Sequence, residues 1–109
     1  MEAKTPREFF EKILPSKFSP EKAKGLQAVA QVNITGAGSG NWIITIANQK
    51  MEIREGLAPS ADVTLKTTDK DFLEIVNHRL DAVTAFMTGR LEFNGSIATG
   101  LKLLNMGFM

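Results

Sequence analysis

His78 is the chain's single histidine and cysteine is absent, so acid–base or metal chemistry here would run through His78 and the carboxylates. A general base needs an orienting partner and a reacting group within hydrogen-bond reach. The sequence neighbours of His78 are Asn77 and Arg79, at the end of an amphipathic segment. A histidine there suits the last carbonyls of a helix better than a catalytic role. Asp69 and Asp71 stand close together, but Thr68-Asp69-Lys70-Asp71 reads as a helix start, where acidic side chains complement the positive end of the helix dipole. Without cysteine, disulfides, thiolate catalysis and cysteine-ligated zinc are excluded. A transition-metal site would have to rest mainly on carboxylates.

Gly36-Ala37-Gly38-Ser39-Gly40 invites a phosphate-binding reading. A phosphate loop follows a strand, opens a helix and carries a Lys-Ser/Thr pair. This one joins two strand-like runs, lacks that pair, and has Asn41 where a sixth-position glycine would sit. It reads as a hairpin loop. The sequence therefore predicts no catalytic residue, no cofactor and no metal.

What remains is a surplus of adaptable apolar side chains late in the chain, namely Phe72, Phe86, Met87, Phe93, Met106, Phe108 and Met109. Methionine suits irregular cores and promiscuous apolar surfaces alike. The last fourteen residues, SIATGLKLLNMGFM, carry one charge, Lys102. Ile97, Leu101, Leu104 and Phe108 form a helical stripe, and Leu103, Met106 and Met109 fall off it. A docked terminal helix needs one apolar face. A second one has to cover a cavity or a partner.

The elements that position these residues follow from period and punctuation. Thr5-Pro6-Arg7-Glu8 is a helix start with a cap, a first-position proline and a capping-box glutamate. Phe9, Phe10, Ile13 and Leu14 mark its buried face, and Pro15 is expected to stop it. Ser19-Pro20 predicts a short second helix that Gly25 ends. The period then changes to two. Ala28–Thr35 puts Ala28, Ala30, Val32 and Ile34 on one face, and Asn41–Ala47 does the same with Trp42, Ile44 and Ile46. Asn48-Gln49-Lys50 turns the chain into Met51–Glu55, so three strands with short loops form an antiparallel meander. Asp62–Thr67 is a fourth strand with Val63 and Leu65 inward. A helix from Thr68 carries Phe72, Ile75 and Val76. Another from Asp81 carries Val83, Phe86 and Met87 and ends at Gly89. Arg90–Asn94 is a fifth strand with Leu91 and Phe93 on one face, before Gly95-Ser96 turns into the terminal helix. The class is α+β, a five-stranded, mostly antiparallel sheet with helices packed on one face.

At 109 residues the chain is one domain's worth, 1–109, and its 43% apolar and 23% charged shares are those of a globular domain. A net charge of +1 argues against nucleic acid, since six Lys or Arg in the first 25 residues are interleaved with four Glu. The N-terminus lacks the apolar core of a signal peptide and no run of eighteen apolar residues occurs, so the cytosol is the expected compartment.

The stretches "ADVTLKTTDKDFLEIV" and "LDAVTAFMTGRLEFNGSIATGLKLL" resemble the sterol carrier protein type two family, the sterol-binding domain. The likeness lies in Asp62-Val63-Thr64, in Thr68 to Leu73, in Ala85 to Leu91, and in a Gly95-opened, leucine-rich last helix reaching Leu104. The hairpin "GSGNWIITIANQKMEIREG" is similar to the family's tryptophan-containing one. The resemblance implies an apolar tunnel enclosed between sheet and helices that binds a fatty acid, fatty acyl-CoA, sterol-like molecule or phospholipid, in a carrier rather than an enzyme. Carried onto this chain, it makes Trp42, Ile44, Phe72, Ile75, Val76, Phe86, Met87, Phe93, Leu101 and Leu104 the expected ligand-binding wall. It also implies transient membrane contact. The alternative is a protein-interaction or dimerisation module that pairs through the C-terminal helix. Two departures stand out: His78 occupies a usual glycine position between the central helices, and the chain ends Gly107-Phe108-Met109 rather than in a peroxisomal tripeptide.

Overall fold

Alternating apolar and polar side chains build five strands, β1 (Ala28–Thr35), β2 (Gly40–Ala47), β3 (Lys50–Glu55), β4 (Val63–Thr68) and β5 (Leu91–Gly95). In the computed structural model, which describes residues 2–105 without the Asn105 side chain, they form one sheet in the order β3-β2-β1-β4-β5. The β1-β2-β3 meander is antiparallel as the short loops require, and β4–β5 is antiparallel too. β1 and β4 run parallel, joined by the excursion through β2 and β3. Registration places Ile53, Ile44, Ala30 and Val63 in one row across the sheet, with Trp42, Val32, Leu65 and Phe93 in the next. Helices cover this face.

The first of them, α1, spans residues 6–17 and differs from the sequence expectation at Pro15. Its middle turn, Phe9–Ile13, is π-helical, and Leu14 N–H bonds five residues back to the Phe9 carbonyl. That one-residue shift of the bonding frame gives a proline without an N–H a place inside the helix, which runs on through Leu14–Lys17. Thr5 caps the start as expected, accepting from Glu8 N at 3.1 Å, while the Glu8 carboxylate accepts from Lys4 N rather than Thr5 N. The short helix expected after Ser19 is instead a run of turns, with Ala23 N bonded to Ser19 O and Leu26 N to Ala23 O. Gly25, at φ +80°, breaks it before a second turn can offset the cost of nucleation.

α2 (Asp69–Val76) is capped by Thr68 and buries Phe72, Ile75 and Val76. α3 (Ala82–Met87) is capped by Asp81 and buries Ala85. α4 (Ile97–Asn105) follows β5, with Ser96 Oγ accepting from Thr99 N at 3.2 Å. Met106, Phe108 and Met109 lie outside the described residues. Between β5 and α4, Gly95 sits at φ +117° against the Asp62 carbonyl, where any Cβ would overlap that oxygen. Among the described residues, no helix is long and apolar enough to cross a membrane.

The core divides into two regions. Under α1 and α2, Phe10 stacks between Trp42 (ring centroids 4.8 Å apart) and Phe72 (5.3 Å), and Phe9 meets Phe72 edge-on at 5.5 Å. Such pairs add about 0.5–1.5 kcal/mol beyond burial. The Arg7 guanidinium lies 5.2 Å from the Trp42 ring centre and pairs with Glu55 at 2.9 Å. Hydrogen bonds from Arg7 to Glu55 and Glu11 hold its pKa above the usual arginine value. Over β4 and β5 the packing opens.

Candidate functional site

That opening is an apolar cavity of about 310 Å³ between the sheet, α3 and α4. Its floor is the inward side of two strands, Val63 and Leu65 of β4 with Leu91 and Phe93 of β5. One wall is α3, contributing Ala82, Val83, Phe86 and Met87, and the other is α4, contributing Ile97, Gly100, Leu101, Leu103 and Leu104. No titratable side chain lines it among the described residues. Every lining side chain is a hydrocarbon, an aromatic ring or a thioether.

Local sequence explains why these walls stand apart. Ala85 is fully buried where α3 meets the body of the protein. A small anchor leaves Val83, Phe86 and Met87 on the outer side, 48%, 48% and 78% exposed. α4 is held mainly by Leu103, 3% exposed, while Ile97 and Leu101 remain 67% and 52% exposed. Ile97, Leu101 and Leu104 of the sequence stripe thus line the cavity and its rim, and the off-stripe Leu103 lines it too and is the buried anchor. Gly100 lets α4 approach β5, since a Cβ there would come within 2.8 Å of the Phe93 ring. Phe93 in turn meets Phe86 edge-on at 6.3 Å, linking floor to wall.

Of the ten residues expected to line a cavity, five are brought together around this one: Phe86, Met87, Phe93, Leu101 and Leu104. The other five do not reach it. Trp42, Ile44, Phe72, Ile75 and Val76 are all at most 5% exposed and belong to the core under α1 and α2. Above β2 the space is filled by Phe9 and Phe10 of α1. Val63, Leu65, Leu91 and Val83, which also line the cavity, are legible in the sequence as apolar faces. For Gly100 no signal existed, because its role depends on where the Phe93 ring lies.

The residues singled out for chemistry have structural duties. Asp69 Oδ2 accepts from Gly38 N at 2.8 Å, so the glycine loop's amide is occupied by an internal carboxylate. Asp71 Oδ1 takes Arg90 Nη2 at 2.7 Å and Nε at 3.1 Å. His78 ends α2 in the left-handed region, φ +63°, with its N–H on the Ile75 carbonyl. Arg79 and Leu80 N–H groups both return to Glu74 O, closing the helix end. The described residues contain no group of three or more His, Cys, Asp or Glu placed to hold a metal ion.

A second cavity, of about 290 Å³, adjoins the first. It shares Ala82, Val83 and Leu104 with it and adds Ile75, Leu80, His78 and Asp81.

Comparison with known proteins agrees with this architecture. Hydroxysteroid dehydrogenase-like protein 2 of Rattus norvegicus is 31% identical over 84% of this chain, which spans 18% of that protein's length. The sec-alkylsulfatase Pisa1 from Pseudomonas sp. matches 94% of this chain at 25% identity and a TM-score of 0.82, again over a small part, 16%, of its own chain. Palmitated sterol carrier protein 2 like 2 from Aedes aegypti matches end to end, 100% of this chain and 96% of that one, at 25% identity and a TM-score of 0.76. The family model for the SCP-2 sterol transfer family matches residues 10–106, and the chain belongs to that family.

Proposed function

We propose that this domain, residues 1–109, is a non-catalytic lipid carrier that holds the apolar part of a fatty acid, fatty acyl-CoA, sterol-like molecule or phospholipid between α3, α4 and the β4–β5 end of the sheet. The observation that carries the reading is the wholly apolar lining of the 310 Å³ cavity. That volume is at the lower end of the roughly 300–1,000 Å³ typical of small-molecule sites. Burying an acyl chain there is worth about 0.8 kcal/mol per methylene, and a bilayer offers the same gain. Exchange between membrane and cavity is therefore close to neutral, as a carrier needs. Phe86, Met87, Phe93, Leu101 and Leu104 are the proposed contacts among the residues marked from sequence. The palmitated state of the Aedes protein supports a fatty acyl ligand.

The exposed rim gives the second reading its footing. Val83, Phe86, Met87, Ile97 and Leu101 are all about half exposed or more and lie around one opening. A contiguous apolar patch of this kind meets a membrane or another protein. In the carrier reading it meets the bilayer transiently during loading. In the rival reading it is a homodimer interface. Native mass spectrometry of gently purified protein separates them: a carrier retains an adduct of a few hundred daltons on the monomer, and a dimerisation module gives twice the monomer mass without one.

A further inference from the structure

Beside the apolar first cavity, the second has two polar lining residues, His78 and Asp81, both exposed to solvent. Its wall residues Ala82 and Val83 form the opening turn of α3, and an amphiphile lying across that turn keeps its chain against Phe86 and Leu104 and brings its head to His78 and Asp81. We propose that His78 and Asp81 select lipids ending in an uncharged hydroxyl over lipids ending in a carboxylate.

The hydrogen-bonding capacities of the polar side chains lining the second cavity carry this. Asp81 is an acceptor when ionised and its Oδ2 already receives Thr84 N at 3.0 Å and Thr84 Oγ1 at 3.3 Å. One of the amides at the start of α3 is thus taken by the protein's own carboxylate. A carboxylate head brings a second acceptor-only, negative group beside the first. Arg79, next to His78, does not redress the balance, since it pairs with Glu74 at 2.7 Å and Glu2 at 2.9 Å. A hydroxyl has both functions: it donates to the Asp81 carboxylate and accepts from the imidazole N–H of His78. His78 also holds a left-handed backbone, φ +63°, that glycine adopts more readily.

The selectivity rests on the lipid-binding reading of the adjoining cavity, and the test keeps the two apart. A neutral pyrene-labelled alkane reports cavity occupancy, and its displacement by 1-dodecanol and by dodecanoate is compared at pH 7.5. Dodecanol is expected to displace it at about fivefold lower concentration than dodecanoate, the scale of one like-charge contact near solvent. Asp81→Asn keeps a capping oxygen and should narrow that gap by strengthening dodecanoate, with Asp81→Ser as a second neutral cap should the first fold poorly. His78→Gly should weaken dodecanol and leave dodecanoate nearly unchanged. Equal or stronger displacement by dodecanoate in the native chain, or a ratio indifferent to the folded Asp81 variants, overturns the selectivity while alkane binding leaves the cavity reading standing. An alkane that does not bind at all overturns both.

Discussion

The Asp69 carboxylate accepts the Gly38 N–H at 2.8 Å and lies against Gly36, so the start of α2 is tied to the β1–β2 hairpin loop. The glycines are there for this approach. Gly36 has φ +105°, and a Cβ on it would collide with Asp69 Oδ1. Asp69→Ala should therefore cost about 1–2 kcal/mol, as a charge-assisted bond partly open to solvent, read as a lower urea midpoint. Gly36→Ala should cost more, because it adds backbone strain to the lost contact. A loop that instead bound inorganic phosphate in the Asp69→Ala variant would revive the anion-binding reading rejected above.

Gly100 and Phe93 set the width of the cavity. A methyl at position 100 would lie about 2.8 Å from two ring carbons, so the ring has to move. We expect Gly100→Ala to stabilise α4 by up to about 1 kcal/mol through helix propensity while weakening binding of a fluorescent fatty acid severalfold. Thermal melts and probe titrations on the same sample read the two effects. Unchanged affinity with a raised melting temperature would show that the ring relaxes away from the ligand.

These two cases mark what the sequence makes legible. Caps and turn residues are local, so Thr5, Thr68 and Asp81 could be placed from spacing alone, and each makes its expected bond. Alternation likewise found all five strands to within a residue or two. Pro15 was misread because the π turn that accommodates it has no sequence signature in a single chain. The cavity wall was half legible for a deeper reason. The stripe Phe72-Ile75-Val76 and the set Val83-Phe86-Met87 look alike as patterns, yet the first is buried and the second is open. Periodicity reports that a side chain is apolar. What covers it depends on where α1 and α4 come to lie.

Phe86→Asp tests the cavity without threatening the fold. The side chain is about half exposed, so the charge keeps some water in the unliganded protein. With lipid bound, it would be desolvated against a hydrocarbon chain, a cost of several kcal/mol. Probe binding should be lost at temperatures where circular dichroism remains native. Retained affinity would place the ligand away from α3.

His78→Gly should raise stability by up to about 1 kcal/mol, since glycine enters the left-handed region at no steric cost. Combined with weaker dodecanol binding, this would separate the imidazole's contribution from that of the backbone. A drop in the melting temperature would mean that the side chain supports the α2 end in ways the strained φ conceals.

The faces of α4 decide between carrier and interface. Leu103 is its buried anchor, so Leu103→Ala should cost about 2–4 kcal/mol, a large share of the roughly 5–15 kcal/mol that holds a domain of this size together. Ile97 and Leu101 are more than half exposed and should be replaceable at little cost to the fold. The double substitution Ile97→Gln, Leu101→Gln removes two apolar contacts from the cavity rim and leaves the anchor intact. If that rim holds the ligand, native mass spectrometry should show the lipid adduct diminished on an unchanged monomer, and transfer between vesicles should slow with it. Should the native chain instead be a dimer that this variant converts to a monomer with the adduct undiminished, the exposed face of α4 is a subunit interface, and the ligand is held deeper, against Leu65 and Phe93.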